Sequence, residues 1–353
     1  MEASLQTERI DAVAETAAKW RDPDHSARQS AVRETLEAPN RWTEQALEHA
    51  LNRWMQQFTR AGLREWLGAG EAGGASSATV GVIHAETGPL AGVRDAIAVW
   101  ARGHDYAGVC PPSSPALVPA FLEAVGVSTA GHAAEGGLEA TLSRADAVVA
   151  GAAGWIDAPL ADLCADHGIP PARRLLRDPC YSVGLVDGHE SQDEMGRLAE
   201  DALLYEGHGR RTLDILWAPT DYPPDDYLQA MAGFRGLFPA HEDTPGSLQM
   251  QQAFLEAQNR PHAYAEGLEF LMSRGEPERQ KPGHVRWAEY DAVDDVDAWW
   301  RDHRDEVYAV IARPHLHDQL PDAWPLRSPG GVHVPPLADR DGRVVLSFLQ
   351  ALA

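Results

Sequence analysis

The chain has 353 residues, of which 44 % are hydrophobic, and its 53 acidic and 30 basic residues give a formal net charge of −23. The length exceeds that of an average domain and predicts two domains. The acidity argues against a nucleic-acid partner, because a phosphate backbone would be repelled.

The acidic residues are spread along the chain, and Lys19 and Lys281 are its only lysines. An acidic, lysine-poor surface stays soluble in concentrated salt, so this composition favours a halophilic cytoplasm over a docking surface for a cationic partner. The sequence has no run of 18 apolar residues, and its N-terminal segment lacks the basic and apolar parts of a signal peptide. We therefore expect a cytoplasmic protein without a membrane span.

The cysteines and histidines form no metal-binding pattern. Cys110, Cys164 and Cys180 are too few and too scattered for a disulfide framework or a zinc site. His315 and His317 would share one face of a strand, but no third ligand accompanies them. We expect reduced thiols and no metal.

Along the chain, residues 1–70 predict helices, and an alternation of strands and helices follows. Strands are expected at 79–85, 105–110, 145–154 and 180–188, with helices at 90–102, 115–125 and 158–167 between them. This alternation predicts an α/β fold with a parallel, doubly wound sheet, which binds ligands at the carboxyl ends of its strands.

The alternation continues less regularly in the second half of the chain. A helix is expected over 192–205, a strand over 213–219, a helix over 225–237, a helix followed by a strand over 296–312, and a final strand over 343–352. We expect a helical N-terminus and a dinucleotide-binding type of domain over 1–188, a smaller α/β catalytic-type domain over 189–325, and a return to the first domain over 326–353.

Three turns at predicted strand ends are candidates for a site. In the first, 84–89, Gly88 and Pro89 close the turn, and a glycine there would let main-chain amides approach an anion. The second, 149–154, has Gly151, Ala152 and Ala153 in a turn that does not match the dinucleotide-binding G-x-G-x-x-G pattern. The third, 206–212, places two glycines beside a histidine and two arginines. Each turn alone is equally compatible with an ordinary connection.

Several segments together resemble the LuxC-type acyl-CoA reductases, the fatty-acid reductase family of bacterial bioluminescence. They are TVGVIHAETGPLAGVRD (79–95), HDYAGVCPPSSPALVPAFLEAV (104–125), ADAVVAGAAG (145–154), CYSVGLVDGHES (180–191), AEDALLYEGHGRRTLDILWAP (199–219) and GGVHVPPLADRDGRVVLSFLQAL (330–352). The resemblance implies an aldehyde-dehydrogenase-like fold and an NADPH-dependent reduction of an acyl thioester to an aldehyde, in which a cysteine first takes up the acyl group. It also implies an acyl-CoA or acyl-protein partner, and it leaves homo-oligomerisation open.

The sequence departs from the family at the positions that the resemblance assigns to chemistry. Arg210 stands at the position of the nucleophilic cysteine, and a guanidinium has no lone pair with which to attack a thioester. Thr87 replaces the asparagine that would stabilise the oxyanion, and Val109 replaces a lysine that holds the cofactor. Ala152 and Ala153 replace a Gly-Ser pair in the cofactor turn.

Two hypotheses follow from these departures. The first is a non-catalytic member whose fold is retained for binding or assembly, with NADPH binding weakened. The second is a working reductase in which Arg210 binds an anionic part of the substrate and either Cys180 serves as a relocated nucleophile or no covalent step occurs. We favour the first, because the departures fall on separate turns of one expected cleft while the strand and helix patterns survive.

Overall fold

Helices alternate with strands in the computed structural model, which describes residues 2–68, 77–128, 137–151 and 154–352. The helices are α1 (Glu2–Trp20), α2 (Ser26–Glu37), α3 (Glu44–Gln57), α4 (Arg60–Leu67), α5 (Val93–Ala101), α6 (Leu117–Val125), α7 (Gly137–Arg144), α8 (Leu160–Asp166), α9 (Gln192–Leu203), α10 (Asp225–Leu237), α11 (Thr244–Ala257), α12 (Val293–His303) and α13 (Arg340–Gln350). The strands are β1 (Thr79–Ile83), β2 (Asp105–Val109), β3 (Ala147–Ala150), β4 (Arg174–Leu176), β5 (Tyr181–Leu185), β6 (Leu213–Pro219), β7 (His262–Tyr264), β8 (Leu271–Arg274), β9 (His284–Tyr290), β10 (Val307–Ile311) and β11 (Leu326–Arg327). The predicted α/β fold class is confirmed.

The chain divides into two units. The first comprises Met1–Asn40, Leu47–Asp178 and Pro335–Ala353, and the second comprises Arg41–Ala46 and Pro179–Val334. Strand β5 precedes residue 188, where the sequence-based division places its boundary, and its hydrogen-bonded neighbours β6 and β10 both belong to the second unit.

The sheet of the first unit is parallel and has the order β2-β1-β3-β4 over the described residues. The chain runs outward from β1 to β2 and then crosses back to β3, so the order of winding reverses between β1 and β3. The turns after these two strands therefore flank the point at which parallel sheets bind ligands. Strand β3 is buried along its whole length, as expected of an interior strand.

The C-terminal segment of the first unit is a helix, and the expected strand over 343–352 is wrong. Val345 and Leu349 lie four residues apart and are fully buried, which places both on one face of α13, whereas Val344 is exposed. The Asp339 carboxylate caps the helix by accepting a hydrogen bond from Gly342 N at 2.8 Å. The adjacent valines Val344 and Val345 favour a strand in the sequence. The four-residue spacing of the buried Val345 and Leu349 and the Asp339 cap favour the helix that forms.

Helix α13 is held to the rest of its unit by buried polar contacts. The Nη1 atom of Arg94 on α5 donates to Asp339 Oδ1 at 2.6 Å, and the Trp66 indole on α4 donates to the carbonyl of Gly342 at 3.0 Å. Both polar groups are thus satisfied where they are buried. A Cβ at Gly342 would overlap the carbonyl oxygen of Leu337, so only glycine fits there.

The sheet of the second unit has the order β11-β10-β5-β6-β9-β8-β7 over the described residues, and only its edge strand β7 is antiparallel to its neighbour. Its core is built from alternating residues of the central strands, with Val183, Ile215 and Val310 essentially inaccessible to solvent. Trp324 completes this core and donates its indole hydrogen to Asp297 at 2.9 Å. Among the helices of the described residues, none is long and apolar enough to cross a membrane.

Candidate functional site

The turn that carries Arg210 begins with three consecutive residues in the left-handed backbone region. Tyr205, Glu206 and Gly207 have φ values of 57°, 57° and 72° and join α9 to the loop before β6. For a residue with a side chain this conformation costs on the order of 1–2 kcal/mol, and it persists only where its surroundings fix it.

Glu206 is fixed by a buried set of hydrogen bonds. Both of its carboxylate oxygens accept from Arg235 on α10, at 3.1 and 3.0 Å, and Thr244 at the start of α11 donates to Glu206 Oε2 at 2.6 Å. The side chains of Glu206 and Arg235 are 8 % and 2 % exposed. This double hydrogen bond holds the left-handed turn against two helices of the second unit.

Glycine is required at two positions of the same turn. A Cβ at Gly207 would fall onto the main-chain nitrogen of Gly283, and its positive φ adds to that restriction. A Cβ at Gly209 would lie 2.7 Å from Thr212 Oγ1 and 3.1 Å from the His333 ring. The two glycines therefore define the path of the chain into Arg210.

Arg210 and the following Arg211 lie against one aromatic ring. Their guanidinium carbons are 6.0 and 4.9 Å from the centre of the Tyr308 ring on β10, and both side chains are half-buried. A cation over an aromatic face is stabilised by the ring's quadrupole. The turn thus carries two permanent positive charges at the position assigned to a thiolate.

Cys180 lies beside this turn. Its Sγ atom is 3.2 Å from the carbonyl oxygen of Arg210, to which the thiol donates, and the residue is 7 % exposed. Of the sequence-predicted residues, the second unit therefore brings Cys180 and Arg210 together. A buried thiol that donates to a main-chain carbonyl acts there as a hydrogen-bond donor.

Asp214, the second residue of β6, is a carboxylate that the sequence offers as a partner for Arg210, and in the structure it pairs with Arg279. It accepts from Arg279 Nε at 2.6 Å, and burial raises its pKa to about 7 although the Arg279 charge opposes that shift. The Arg279 guanidinium also lies 5.3 Å from the centre of the Tyr181 ring. In the sequence, Asp214 is marked as unusual because it is the only charged residue of an otherwise apolar strand.

In the first unit, Thr87, Gly88 and Pro89 form the turn that follows β1. Thr87 and Gly88 are half-buried, and the buried Pro89 accepts a hydrogen bond at its carbonyl from Ser114 Oγ at 3.1 Å. Ser114 belongs to the turn after β2, so the turns of two neighbouring strands are joined. Thr87 is placed at the carboxyl end of its strand, as expected.

Val109 and Gly151 lie at the carboxyl ends of β2 and β3, the two strands that flank β1. Val109 is the last residue of β2, and its side chain packs in a buried cluster with Ile83 and Val148. Gly151 follows β3, and a Cβ there would lie 3.1 Å from the Cβ of Ala85. Ala152 and Ala153 lie outside the described residues.

A histidine beneath the first turn is held neutral. His84 is fully buried; its Nδ1 lies 2.9 Å from the carbonyl of Ala91 and its Nε2 lies 2.8 Å from the hydroxyl of Tyr106. Because a carbonyl only accepts, Nδ1 carries the hydrogen and Nε2 accepts from Tyr106. Burial lowers the pKa of His84, and Gly92 leaves room for its ring, since a Cβ there would be 2.5 Å from Nδ1.

These turns offer little to a phosphorylated dinucleotide. Residues 84–92, 110–116 and 151–159, which follow the first three strands, contain the carboxylates Glu86 and Asp157 but neither lysine nor arginine. Ser113 offers a buried hydroxyl without a hydrogen-bond partner among the described residues, yet nothing in these segments would neutralise a phosphate. The residues present do not fit NADPH well, and we derive no chemical step through it.

Comparison with solved structures identifies the fold of the chain. The match to an NAD-dependent benzaldehyde dehydrogenase from Corynebacterium glutamicum covers 98 % of this chain and 85 % of that enzyme, with a TM-score of 0.66 and 10 % identity. The match to a methylmalonate-semialdehyde dehydrogenase from Oceanimonas doudoroffii covers 93 % of this chain and 79 % of that enzyme, with a TM-score of 0.66 and 12 % identity. The match to an aldehyde dehydrogenase from Physcomitrella patens, solved with its reaction product succinate, covers 87 % of this chain and 77 % of that enzyme, with a TM-score of 0.61 and 10 % identity. The chain has the fold of the aldehyde dehydrogenases.

This finding confirms the aldehyde-dehydrogenase-like fold class, with a dinucleotide-binding type of unit and a second α/β unit. No protein-family model matches the sequence, and no curated protein matches it. At 10–12 % identity the likeness concerns the fold alone. In the described part of the chain no group of three or more histidine, cysteine, aspartate or glutamate side chains is arranged to hold a metal ion.

Proposed function

We propose that this chain is a non-catalytic relative of the LuxC-type acyl-CoA reductases that retains the fold for binding an acyl thioester. The observation that carries the proposal is Arg210, which occupies the nucleophile position on a turn that Gly207, Gly209 and the Glu206–Arg235 pair still shape. In this proposal the turn keeps the shape that its glycines give it, while its reactive side chain has been replaced. Without a nucleophile no acyl-enzyme forms, and the two-step reduction lacks its first step.

The two arginines support binding in place of catalysis. Arg210 and Arg211 offer guanidinium groups that suit the phosphates of coenzyme A or the carboxylates of an acylated partner. Their contact with Tyr308 keeps both cations at one place on the turn. In a protein with a net charge of −23 such a pair is a local exception, and an anionic ligand is the species that it would attract.

Weak NADPH binding is part of the proposal. The turns after β1, β2 and β3 have no cation, and Val109 packs in the core where the family has a lysine. The loss of one charge-assisted hydrogen bond costs about 1.5–3 kcal/mol, or roughly ten- to a hundredfold in affinity. A halophilic, cytoplasmic setting belongs to the same proposal and rests on the acidic composition.

The alternative is an active reductase with Cys180 as the relocated nucleophile. Its proximity to Arg210 favours this alternative, whereas its burial and its hydrogen bond to the Arg210 carbonyl oppose it. For a thiol to react it must ionise, and the 7 % exposure leaves little water to stabilise a thiolate.

The deciding experiment combines turnover with intact-mass spectrometry. The purified protein is incubated with a long-chain acyl-CoA and NADPH, at low and at high salt, while NADPH oxidation is followed. We expect neither acyl-CoA-dependent oxidation nor a covalent adduct. An adduct that maps to Cys180 and disappears in Cys180→Ser would establish the alternative, and turnover without an adduct would establish a non-covalent reductase.

Self-association is a second part of the proposal. Helix α11 exposes Met250 and Phe254, four residues apart on one face and 81 % and 60 % exposed, and Glu256 is its only ionisable residue. Two copies of a chain with a net charge of −23 repel each other least through an uncharged surface. We therefore propose that a second copy of this chain covers the α11 face in an isologous pair.

A further inference from the structure

A buried arginine on β9 has almost no partners within the described structure. The Arg286 residue is 2 % exposed, yet its only hydrogen bond to a described residue runs from Nη1 to the carbonyl of Arg274 at a long 3.4 Å. Its Nε atom has no partner there, and no described carboxylate lies within 4.0 Å of its guanidinium. The other deeply buried arginines, Arg28, Arg94 and Arg235, each pair with a carboxylate.

Such a charge is costly unless something compensates for it. A guanidinium stays protonated in proteins, so Arg286 cannot escape the cost by losing its proton. An unpaired ion in the interior is disfavoured far more than a neutral polar group. In contrast to those arginines, Arg286 has no contacting carboxylate among the described residues.

The cross-strand row that contains Arg286 has no carboxylate. His262, Ser273 and Arg286 occupy this row of β7, β8 and β9 and therefore share a face of the sheet. Burial and the charge of Arg260, just before β7, lower the pKa of the Arg286 guanidinium, while the charges of Glu278 and Glu276 raise it. Arg260 is therefore a second cation close enough to act on the same anion.

Neutral groups beside Arg286 provide hydrogen bonds rather than charge. His284 lies with Nδ1 2.8 Å from Gln251 Oε1 and with Nε2 2.7 Å from Ser273 Oγ, so the ring donates to the first and accepts from the hydroxyl. Burial lowers the pKa of His284 to about 3, and it is neutral near pH 7. The positive charge at this place therefore comes from Arg286 itself.

A glycine lets the guanidinium of Arg286 lie close to the main chain near the surface. Gly275 follows β8 and is exposed, and a Cβ there would lie 2.7 Å from Arg286 Nη1 and 3.7 Å from its Cζ. The main chain of Gly275 is fixed by a hydrogen bond from its nitrogen to the carbonyl of Trp287 at 3.1 Å. The buried cation is thus separated from solvent by a residue without a side chain.

We propose that Arg286 is the floor of an anion site, entered beside Gly275, that takes a small oxyanion such as a phosphate or carboxylate group. Planar guanidinium N–H groups match either oxyanion. Arg260, exposed at the rim, supplies a second cation along the approach. This site does not depend on the proposed loss of reductase activity, because none of its residues belongs to the Arg210 turn.

The test measures thermal unfolding of the full chain with inorganic phosphate in one arm and acetate in the other, at constant ionic strength set with sodium chloride. We expect at least one anion to raise the unfolding midpoint by about 2–4 °C at saturation. Arg286→Met should abolish the rise, and Arg304→Met, at an exposed arginine just after α12, should retain it. Phosphate alone would identify a phosphoryl ligand, and acetate alone a carboxylate.

Two further measurements keep the test decisive if Arg286→Met does not fold. Gly275→Ala keeps the charge of Arg286, but its methyl group would lie 2.7 Å from Nη1 and must displace the guanidinium, so we expect the affinity for the anion to fall at least tenfold. Line broadening of the phosphate ³¹P signal, or of the acetate methyl signal, reports binding to the unmodified protein. The proposal is wrong if neither anion shifts the midpoint or broadens its signal, or if Arg286→Met and Gly275→Ala respond like the unmodified protein.

Discussion

The Sγ atom of Cys180 lies 3.2 Å from the main-chain carbonyl oxygen of Arg210, so a thiol and the residue at the expected nucleophile position belong to one local structure. The thiol donates to the turn and helps to hold it. The side chain at position 210 belongs to a loop whose main chain accepts a hydrogen bond from Cys180, and that hydrogen bond requires the protonated thiol. Changes at the two positions are therefore expected to have different consequences.

Arg210→Cys should return a reactive thiol to the turn. The neighbouring Arg211 favours a thiolate, so we expect the new cysteine to react with thiol reagents faster than Cys180 and to accept an acyl group from acyl-CoA. Little aldehyde should form, because Thr87 and Val109 are unchanged. Intact-mass spectrometry and NADPH oxidation measure the two steps separately.

The matched control for this prediction is the same substitution made together with Cys180→Ser. It should retain the adduct if position 210 is acylated. Full reductase turnover by Arg210→Cys alone would contradict our account, because the other departures from the family would then be harmless.

Glu206→Gln should destabilise the second unit strongly. The substitution leaves the Arg235 guanidinium buried and unpaired, which costs about 3–5 kcal/mol in comparable buried pairs. Urea denaturation measures the loss. Arg60→Gln, which breaks partly exposed pairs with Asp11 and Glu15, is the control and should change the free energy of unfolding by less than about 1 kcal/mol.

Gly207→Ala and Gly196→Ala should change stability in opposite directions. At position 207 a Cβ meets the main chain of Gly283 and φ is positive, so we expect a loss of at least about 2 kcal/mol. Gly196 lies within α9, where a Cβ meets nothing within 4 Å, and alanine should add about 0.5–1 kcal/mol. Equal effects in thermal unfolding would show that the turn at Gly207 can relax.

His284 should make the protein sensitive to acid. Burial lowers its pKa from 6.5 to about 3, so between these values the unfolded chain binds a proton that the folded chain does not. The stabilisation is complete above about pH 6.5 and is lost as the pH falls toward 3. His284→Gln should flatten this slope in denaturation curves measured from pH 7 to pH 4; an unchanged slope would argue against a buried neutral ring.

Asp214 should act with the opposite sign. Burial raises its pKa from 3.8 to about 7, so the folded chain binds the extra proton between these values and stability falls as the pH rises through them. The stability of Asp214→Asn relative to the unmodified protein should therefore increase from pH 4 to pH 7. A difference that is constant with pH would show that the carboxylate stays ionised beside Arg279.

Self-association through α11 is tested by Met250→Glu. A carboxylate buried at the centre of an apolar contact would lose its hydration without gaining a partner, which is unfavourable. The variant should therefore be monomeric where the unmodified protein is dimeric. Light scattering coupled to size-exclusion chromatography measures the mass in solution. Glu34→Gln, at an exposed position on α2, is a surface control that should not alter it. A monomeric unmodified protein, or a dimer that survives Met250→Glu, would contradict the proposed pairing.

Much of the fold could be predicted because local patterns agree with it. The strand over 213–219 and the helix over 225–237 have the predicted limits, and the strands at 79–83 and 105–109 lie within their predicted ranges. Strand β9 escaped prediction because the buried His284 and Arg286 interrupt its apolar pattern, and α11 because its sequence is rich in glutamine and nearly uncharged. In both cases tertiary contacts outweigh the local signal.

The site could be predicted only in part. The sequence identified Arg210 and Cys180, but the contact between them depends on the pairing of β5 with β6, which no local pattern specifies. The Glu206–Arg235 pair joins residues 29 positions apart, and both look like ordinary surface charges in the sequence. The strain of the left-handed turn likewise follows from its surroundings.

The pairing of Arg94 with Asp339 has a consequence for biosynthesis. The two residues are 245 positions apart, and the segments of the first unit are interrupted by the whole of the second. At a synthesis rate of about 5–20 residues per second, Arg94 leaves the ribosome roughly 12–50 s before its carboxylate does. During that interval the guanidinium and the surface later covered by α13 stay exposed to water and to other chains. The first half of the chain therefore keeps this surface uncovered until α13 has been made.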